Sequence, residues 1–145
     1  MSSFEGMNAD ELIKALGLEP HPEGGHFRET FRDSNSPGRD HSTAIYYLLR
    51  KGECSHWHRV DAAEVWHFYA GDPLVLSIAT DGNSPDDHVL GLDIAAGQRP
   101  QIVVPANAWQ AARPTGDYTL VGCTVAPGFE FSKFEMAAPD WEPPR

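Results

Sequence analysis

One stretch in the middle of the chain predicts its architecture: Gly52-Glu53-Cys54-Ser55-His56-Trp57-His58-Arg59-Val60-Asp61-Ala62-Ala63-Glu64-Val65-Trp66-His67-Phe68-Tyr69-Ala70-Gly71. His56 and His58 stand two residues apart, and side chains two apart on a β-strand point to the same face. Glu64 follows a predicted turn at residues 59–63 and opens a second predicted strand. The hairpin predicted here places two imidazoles and one carboxylate on a common inner surface.

The types of these three side chains indicate a metal-binding or acid–base site. Two histidines and one carboxylate, with coordination positions left open, form the ligand set of many non-haem iron sites and also suit manganese, nickel or zinc. The sequence therefore predicts one divalent first-row metal at His56, His58 and Glu64, with His58 and Glu64 as catalytic residues. The alternative is a metal-free pocket, in which His56 and His58 act by hydrogen bonding or as a general acid and base.

The rest of the chain reads as short strands separated by turn residues. One helix is predicted over residues 8–17, with Asn8 or Asp10 as its N-cap and Gly17 at its end. Short strands at even spacing are typical of a β-sandwich or β-barrel. The predicted strands cover residues 26–32, 43–50, 54–60, 64–70, 74–80, 88–93, 101–105, 109–113 and 118–126.

Two segments resemble the sequence motifs of the cupin superfamily, residues 52–71 the first motif and residues 97–110 the second. The resemblance implies an all-β double-stranded β-helix, the cupin jelly roll, here with one short N-terminal helix. It also implies a fourth metal ligand, a histidine, in the second motif. Gln110 stands at that place and is expected to be a weak fourth ligand through its amide oxygen, or to hydrogen-bond a metal-bound water.

A more specific resemblance covers residues 12–135 and is carried by four distinctive phrases. They are Glu23-Gly24-Gly25-His26-Phe27-Arg28-Glu29-Thr30, Glu64-Val65-Trp66-His67-Phe68-Tyr69-Ala70-Gly71, Ala96-Gly97-Gln98-Arg99-Pro100-Gln101 and Leu120-Val121-Gly122-Cys123-Thr124-Val125-Ala126-Pro127-Gly128-Phe129. They are similar to a subfamily of small single-domain cupins. This resemblance implies a homodimer in which the N-terminal strand crosses to the partner, and it leaves the reaction open, because one fold hosts many functions.

Further residues are candidates for contact with a small-molecule ligand. Trp66 and Trp109 are candidate stacking platforms for a planar ligand, although Trp66 also fits a core position. Arg28 and Arg99 are candidates for clamping an anionic group, since a guanidinium binds phosphate and carboxylate in a bidentate manner. Gln101 is a candidate polar contact at the pocket mouth.

Composition limits the classes of partner. A chain of 145 residues forms a single domain, predicted as a helix at about 8–17, a barrel at about 24–136 and a loose tail at 139–145. The formal net charge of −10 argues against a nucleic-acid polymer or a membrane surface and leaves room for a small anionic ligand. The N-terminus lacks the pattern of a signal peptide, so a cytoplasmic protein is expected.

Two functions of different classes fit these observations. The first is a metal-dependent enzyme, isomerase-, epimerase- or dioxygenase-like, acting on a small polar metabolite. The second is a metal-free module that binds a nucleotide or sugar-nucleotide, or a metal-independent epimerase-like protein. The histidine pair with Glu64 favours the first function, and Gln110 in place of a histidine favours the second.

Overall fold

The computed structural model describes residues 6–80 and 84–144, and two antiparallel sheets account for about half of them. The first sheet contains six strands in the order β1-β2-β3-β10-β5-β8, and the second contains five strands in the order β11-β4-β9-β6-β7. The strands are β1 (Glu19–Pro20), β2 (His26–Asp33), β3 (Ser42–Arg50), β4 (Ser55–Val60), β5 (Ala63–Gly71), β6 (Leu74–Ala79), β7 (Asp86–Leu90), β8 (Gln101–Val104), β9 (Trp109–Pro114), β10 (Tyr118–Ala126) and β11 (Phe134–Met136).

The predicted jelly roll with one short helix is confirmed by this architecture. Every predicted strand is present, and β10 has the predicted bounds. The sequence did not predict β1, β11 or the two short 3₁₀ helices, Ile94–Ala96 and Phe131–Lys133. These elements are two or three residues long, too short for a pattern of alternating side chains to indicate them.

The α-helix α1 (Ala9–Leu16) begins and ends at residues whose chemistry explains its bounds. Asn8 is the N-cap: its side chain accepts from the backbone N–H of Glu11, whose side chain accepts in return from the backbone of Asn8. Gly17 ends the helix in the left-handed conformation, with φ 68°. Leu12 packs against Leu48 and its neighbours on the outer face of the six-stranded sheet. No helix in the described part of the chain is long and apolar enough to cross a membrane.

The main core fills the space between the two sheets at one end of the barrel. Trp66 and Tyr47 are its largest fully buried side chains, and their rings meet edge to face at 5.9 Å. Leucines from β3, β6 and β7 complete it. This packed end leaves an open interior at the other end, toward β2 and β11.

A β-bulge in β4 changes which side chains face the interior. Ser55 pairs with Ala112 of β9 and His58 pairs with Gln110, so three steps along β4 match two along β9. The extra residue breaks the alternation of side chains. Ser55 and His58 therefore both face inward, while His56 does not.

The described part of the C-terminal segment lies against the outer face of the five-stranded sheet. The ring of Trp141 packs on that of Trp109 at 4.8 Å, and the backbone N–H of Ala137 donates to the carbonyl of Trp57 at 2.9 Å. The loose tail predicted at 139–145 stays a prediction, and within it the ring of Trp141 contacts the sheet.

Candidate functional site

Glu23 enters the barrel from a tight turn that only glycine permits. Gly24 has φ +113°, and a Cβ at this position would collide with the backbone carbonyl of Cys54. The turn is fixed to the start of β4, since the backbone N–H of His56 donates to the carbonyl of Glu23 at 2.9 Å. This close approach directs the Glu23 carboxylate, 8% exposed, toward the inner side chains of β4.

Glu23 and His58 form a buried ion pair. The Nδ1 atom of His58 lies 2.8 Å from Oε2 of Glu23 and 2.7 Å from the backbone oxygen of His56. Both neighbours are acceptors, so Nδ1 carries the hydrogen. Burial alone would lower the pKa of His58, but the charge and hydrogen bond of Glu23 outweigh it and raise that pKa to about 9. His58 is therefore an imidazolium at neutral pH.

Two more side chains hold Glu23 in place. The hydroxyl of Ser55 donates to Oε2 of Glu23 at 2.9 Å, and Nε2 of His21 lies 3.5 Å from Oε1. Burial opposes ionisation of Glu23, yet the nearby His58 charge and these hydrogen bonds lower its pKa. The carboxylate thus stays ionised and keeps His58 charged.

Glu64 belongs to a second buried chain of hydrogen bonds. The indole N–H of Trp66 donates to Oε1 of Gln110 at 2.8 Å, and Nε2 of Gln110 donates to Oε1 of Glu64 at 2.9 Å. An indole N–H is a donor only, so the amide oxygen of Gln110 must face Trp66 and its amide nitrogen must face Glu64. Oε1 of Glu64 is therefore an acceptor in both protonation states, and the proton of the neutral acid lies on Oε2.

The Glu64 carboxyl is poised to exchange a proton near neutral pH. Burial raises its pKa to about 7, with the His58 charge opposing and the Glu23 charge adding to the shift. The Cys123 thiol hydrogen-bonds the same carboxyl, and burial raises the pKa of that thiol, which stays protonated. No hydrogen bond or ion pair joins Glu64 to His58 in the described part of the chain.

These groups lie at the floor of a cavity of about 410 Å³. His58, Glu64, Glu23 and Cys123 are buried there, whereas the residues at the mouth are exposed. His58 has no hydrogen bond through its second ring nitrogen, Nε2, to any described residue. A ligand atom entering the cavity could thus meet an N–H of His58 and the carboxyl of Glu64.

The predicted metal-ligand set is not assembled. The bulge turns His56 outward, where its Nε2 lies 2.8 Å from the carbonyl of Ala138. Both amide atoms of Gln110 are engaged. Among residues 6–80 and 84–144, no group of three or more His, Cys, Asp or Glu side chains has the geometry of a metal site. The residues present do not fit the predicted metal.

The predicted ligand-binding residues divide into two sets. Arg28 lines the mouth of the cavity, as predicted. The other five residues do not line it. Trp66 and Gln110 are core residues that act on Glu64, because their polar groups are bonded to each other.

The remaining three predicted contacts lie on outer surfaces. Trp109 is covered by Trp141 on the five-stranded sheet, Gln101 contacts His67 on the outer face of the six-stranded sheet, and Arg99 bonds the loop carbonyl of Gln98. Side-chain alternation along their strands turns Trp109 and Gln101 outward.

Sequence reasoning missed several residues of the cavity. Glu23 and His21 lie in a turn outside both cupin motifs, and only the Glu23-Gly24-Gly25 phrase signalled a special backbone there. The aromatic wall was missed because it comes from the segment after β10. It consists of Phe129, Phe131 and Phe134, whose ring centroids lie 4.9–6.0 Å apart.

Comparison with known proteins defines the family. Residues 10–137 match the family described as Cupin superfamily (DUF985), and the chain belongs to it. Its structure is similar to protein SO0799 from Shewanella oneidensis, with 43% identity, 91% of this chain and 85% of that chain covered, and a TM-score of 0.87. A hypothetical protein from Leishmania major shares 31% identity, with 90% and 88% of the two chains covered and a TM-score of 0.82. No curated protein matches.

Distant structural likeness extends to an enzyme of the same fold. Oxalate decarboxylase from Bacillus subtilis shares 12% identity, with 81% of this chain and 29% of that chain covered and a TM-score of 0.64. At this identity the likeness shows the cupin fold alone.

Proposed function

We propose that this cupin is a metal-independent isomerase or epimerase that moves a proton on a carbon next to a carbonyl group of a small molecule. The observation that carries the proposal is the buried pairing of His58 with Glu23, which leaves Nε2 of His58 without a partner in the cavity that Glu64 also lines. A site of this kind holds an acid and a base around one reacting atom.

The two groups take complementary roles. Ionised Glu64 removes the proton from the carbon, and the electron pair of the C–H bond moves to the carbonyl oxygen. The Nε2–H of His58 donates a hydrogen bond to that oxygen and stabilises the enolate. Epimerisation follows when the enolate turns in the cavity and Glu64 returns the proton to the opposite face of the same carbon. Where that carbon bears a hydroxyl group, the hydroxyl proton moves to the former carbonyl oxygen and Glu64 returns its proton to the former carbonyl carbon, which gives isomerisation.

The pKa values of Glu64 and His58 support these two roles. Activity needs ionised Glu64, with a pKa of about 7, and charged His58, with a pKa of about 9. The rate is therefore expected to rise with pH through about 7 and to fall through about 9, giving a bell-shaped profile of kcat/KM.

The metal-dependent alternative needs a different arrangement of β4. Its ligand set requires His56 on the inner face, where the bulge does not put it. The sugar-nucleotide alternative needs a stacking tryptophan, and Trp66 and Trp109 both lie away from the cavity. The geometry supports acid–base chemistry better than either.

The test is proton exchange, which requires no knowledge of the product. Wild-type protein is incubated in D₂O with a panel of 2-oxo acids, aldoses, ketoses and aryl ketones, and NMR follows deuterium uptake next to each carbonyl. We expect catalysed exchange with at least one class and loss of it in Glu64→Gln and in His58→Asn. Cys54→Ser, an exposed position outside the cavity, is the matched control.

Two results would overturn the proposal. One is exchange no faster than in protein-free buffer for every class in the panel. The other is exchange that persists in Glu64→Gln, because the proposed base is then not the base.

The homodimer stays a prediction. Light scattering coupled to gel filtration measures the mass directly, and a mass of 16.0 kDa, that of one chain, would contradict it.

A further inference from the structure

We infer that the ligand of this cavity is a compact organic anion in which an apolar ring separates the anionic group from the reacting carbonyl. The inference rests on the proposed function for the position of the carbonyl, at the cavity floor. The ring and the anionic group are inferred from the polarity of the lining residues, which changes from the floor of the cavity to its wall and its mouth.

The floor suits a neutral polar group better than an anion. Glu23 and His58 already compensate each other, and Glu64 is the third buried group. An anionic ligand group placed beside Glu64 would bring two negative charges together in a buried site, which opposes ionisation of the proposed base. The anionic group therefore belongs elsewhere in the cavity.

The wall between floor and mouth is mostly apolar. Its apolar side chains are Phe27, Ile45, Val125, Phe129, Phe131 and Phe134. His21 and Thr43 also line the cavity, and they already bond Glu23 and the backbone N–H of Phe129. A hydroxyl held against such a wall loses water without gaining a hydrogen bond, which weakens binding. An open-chain sugar carries a hydroxyl on almost every carbon, so an aromatic or alkyl body fits this part of the cavity better.

The mouth carries one arginine, Arg28, that no carboxylate of the described residues neutralises, and one exposed carboxylate, Glu19, that no cation among them neutralises. Arg32 is paired with Glu29 at 2.6 Å and with Asp40 at 2.8 Å. Arg28 also lines the mouth, and its side chain donates to a neutral acceptor, the carbonyl of Leu16, at 3.2 Å. A carboxylate or phosphate can therefore pair with Arg28 without displacing a charged partner.

The size of the cavity sets the length of the ligand. Small-molecule sites range over about 300–1,000 Å³, and the 410 Å³ here lies near the lower end. A single ring with a short substituent at each end is consistent with this volume.

The test uses three probes of similar size that separate the features of the ligand. 4-Acetylbenzoate has a carboxylate, an aromatic ring and a methyl ketone in the inferred order. 4-Acetylbenzamide lacks only the negative charge. D-glucuronate keeps the carboxylate but has a hydroxylated body in place of the aromatic ring. Binding is measured by calorimetry and by ¹⁵N chemical-shift changes. We expect 4-acetylbenzoate to bind at least tenfold more tightly than either comparison compound.

Variants at the mouth test the role of Arg28. In Arg28→Gln the preference for the acid over the amide should disappear, while Arg28→Lys should keep part of it. Arg113→Gln, an exposed arginine outside the cavity, is the control and should leave the preference unchanged. 4-Acetylphenyl phosphate distinguishes a phosphate from a carboxylate as the anionic group.

The outcomes separate this inference from the proposed function. Equal affinity for acid and amide, tighter binding of glucuronate, or an unaltered preference in Arg28→Gln would overturn the ligand class. Tight, Arg28-dependent binding without deuterium uptake by the acetyl methyl group or by any other carbonyl compound would uphold the ligand class and overturn the proposed reaction. Glu64→Gln should still bind 4-acetylbenzoate, because binding at the mouth does not need the base.

Discussion

Trp66 fixes the orientation of Gln110 through one hydrogen bond, 2.8 Å from the indole nitrogen to the amide oxygen. Both side chains are almost fully buried, with 1% and 0% of their surface exposed. The amide nitrogen of Gln110 consequently faces Glu64 at 2.9 Å. A tryptophan that touches no ligand thus determines how the carboxyl at the cavity floor is hydrogen-bonded.

Removing the amide should make Glu64 harder to ionise. The hydrogen bond from Gln110 favours the charged carboxylate, so Gln110→Leu should raise the pKa of Glu64 above its value of about 7. The pKa is measured by ¹³C NMR titration of labelled glutamate, with Glu64→Gln identifying the signal. Gln101→Leu, on the outer face of the sheet, is the control. An unchanged pKa in Gln110→Leu would show that the hydrogen bond does not act on Glu64.

The ion pair of His58 predicts how stability depends on pH. The pKa of His58 is raised from 6.5 to about 9 in the folded protein, so its stabilising contribution is complete below about pH 6.5 and is lost as pH rises through 9. His58→Asn should therefore reduce the free energy of unfolding by more at pH 6 than at pH 10. The difference is roughly 3 kcal/mol from the size of the shift.

Urea unfolding of both proteins at the two pH values measures this difference. His88→Asn, an exposed histidine on β7, is the control and should change neither value by more than about 0.5 kcal/mol. A destabilisation by His58→Asn that is equal at both pH values, or greater at pH 10, would contradict the prediction.

The metal prediction is tested by restoring the missing histidine. Gln110→His should not increase zinc retention, because His56 still faces outward and the new imidazole loses the bonds to Trp66 and Glu64. Elemental analysis after dialysis against zinc gives the metal content per chain. Near-stoichiometric zinc in the wild type or in Gln110→His, lost in His56→Ala, would mean that β4 binds metal without its bulge.

The C-terminal segment should contribute measurably to stability. Trp141 packs on Trp109 at 4.8 Å, so Trp141→Ala should lower the free energy of unfolding by about 1–2 kcal/mol and shift tryptophan emission to longer wavelength. Trp141→Phe keeps an aromatic contact and should lose less. Equal stability of the wild type and Trp141→Ala would show that the segment is not held by this contact.

The fold could be predicted because its signals are local. Asn8 and Gly17 bound the helix through their own side chain and backbone, and β10 is a continuous apolar strand with turn residues before it. On β5 the alternation from Glu64 to Trp66 and Phe68 correctly gives one inner face. Such patterns depend on sequence neighbours alone.

The site could be predicted only in part because its remaining features depend on distant contacts. A bulge is a mismatch between two strands, and nothing in the residues of β4 alone indicates the one that turns His56 outward. A second bulge on β2, between Glu29 and Phe31, brings Arg32 to the face of Glu29, although simple alternation separates them. Glu23 reaches His58 from a turn well before β4 in the chain.

The bulge of β4 also means that the inner donor set of this barrel depends on strand register as much as on residue type. Deleting Trp57 would restore regular pairing from Ser55 to His58, but His56 would then neighbour His58 directly and still face outward. Regular alternation that turns both histidines inward instead turns Ser55 outward and removes its hydrogen bond to Glu23. The metal-ligand geometry and the Ser55–Glu23–His58 geometry are therefore mutually exclusive arrangements of the same strand.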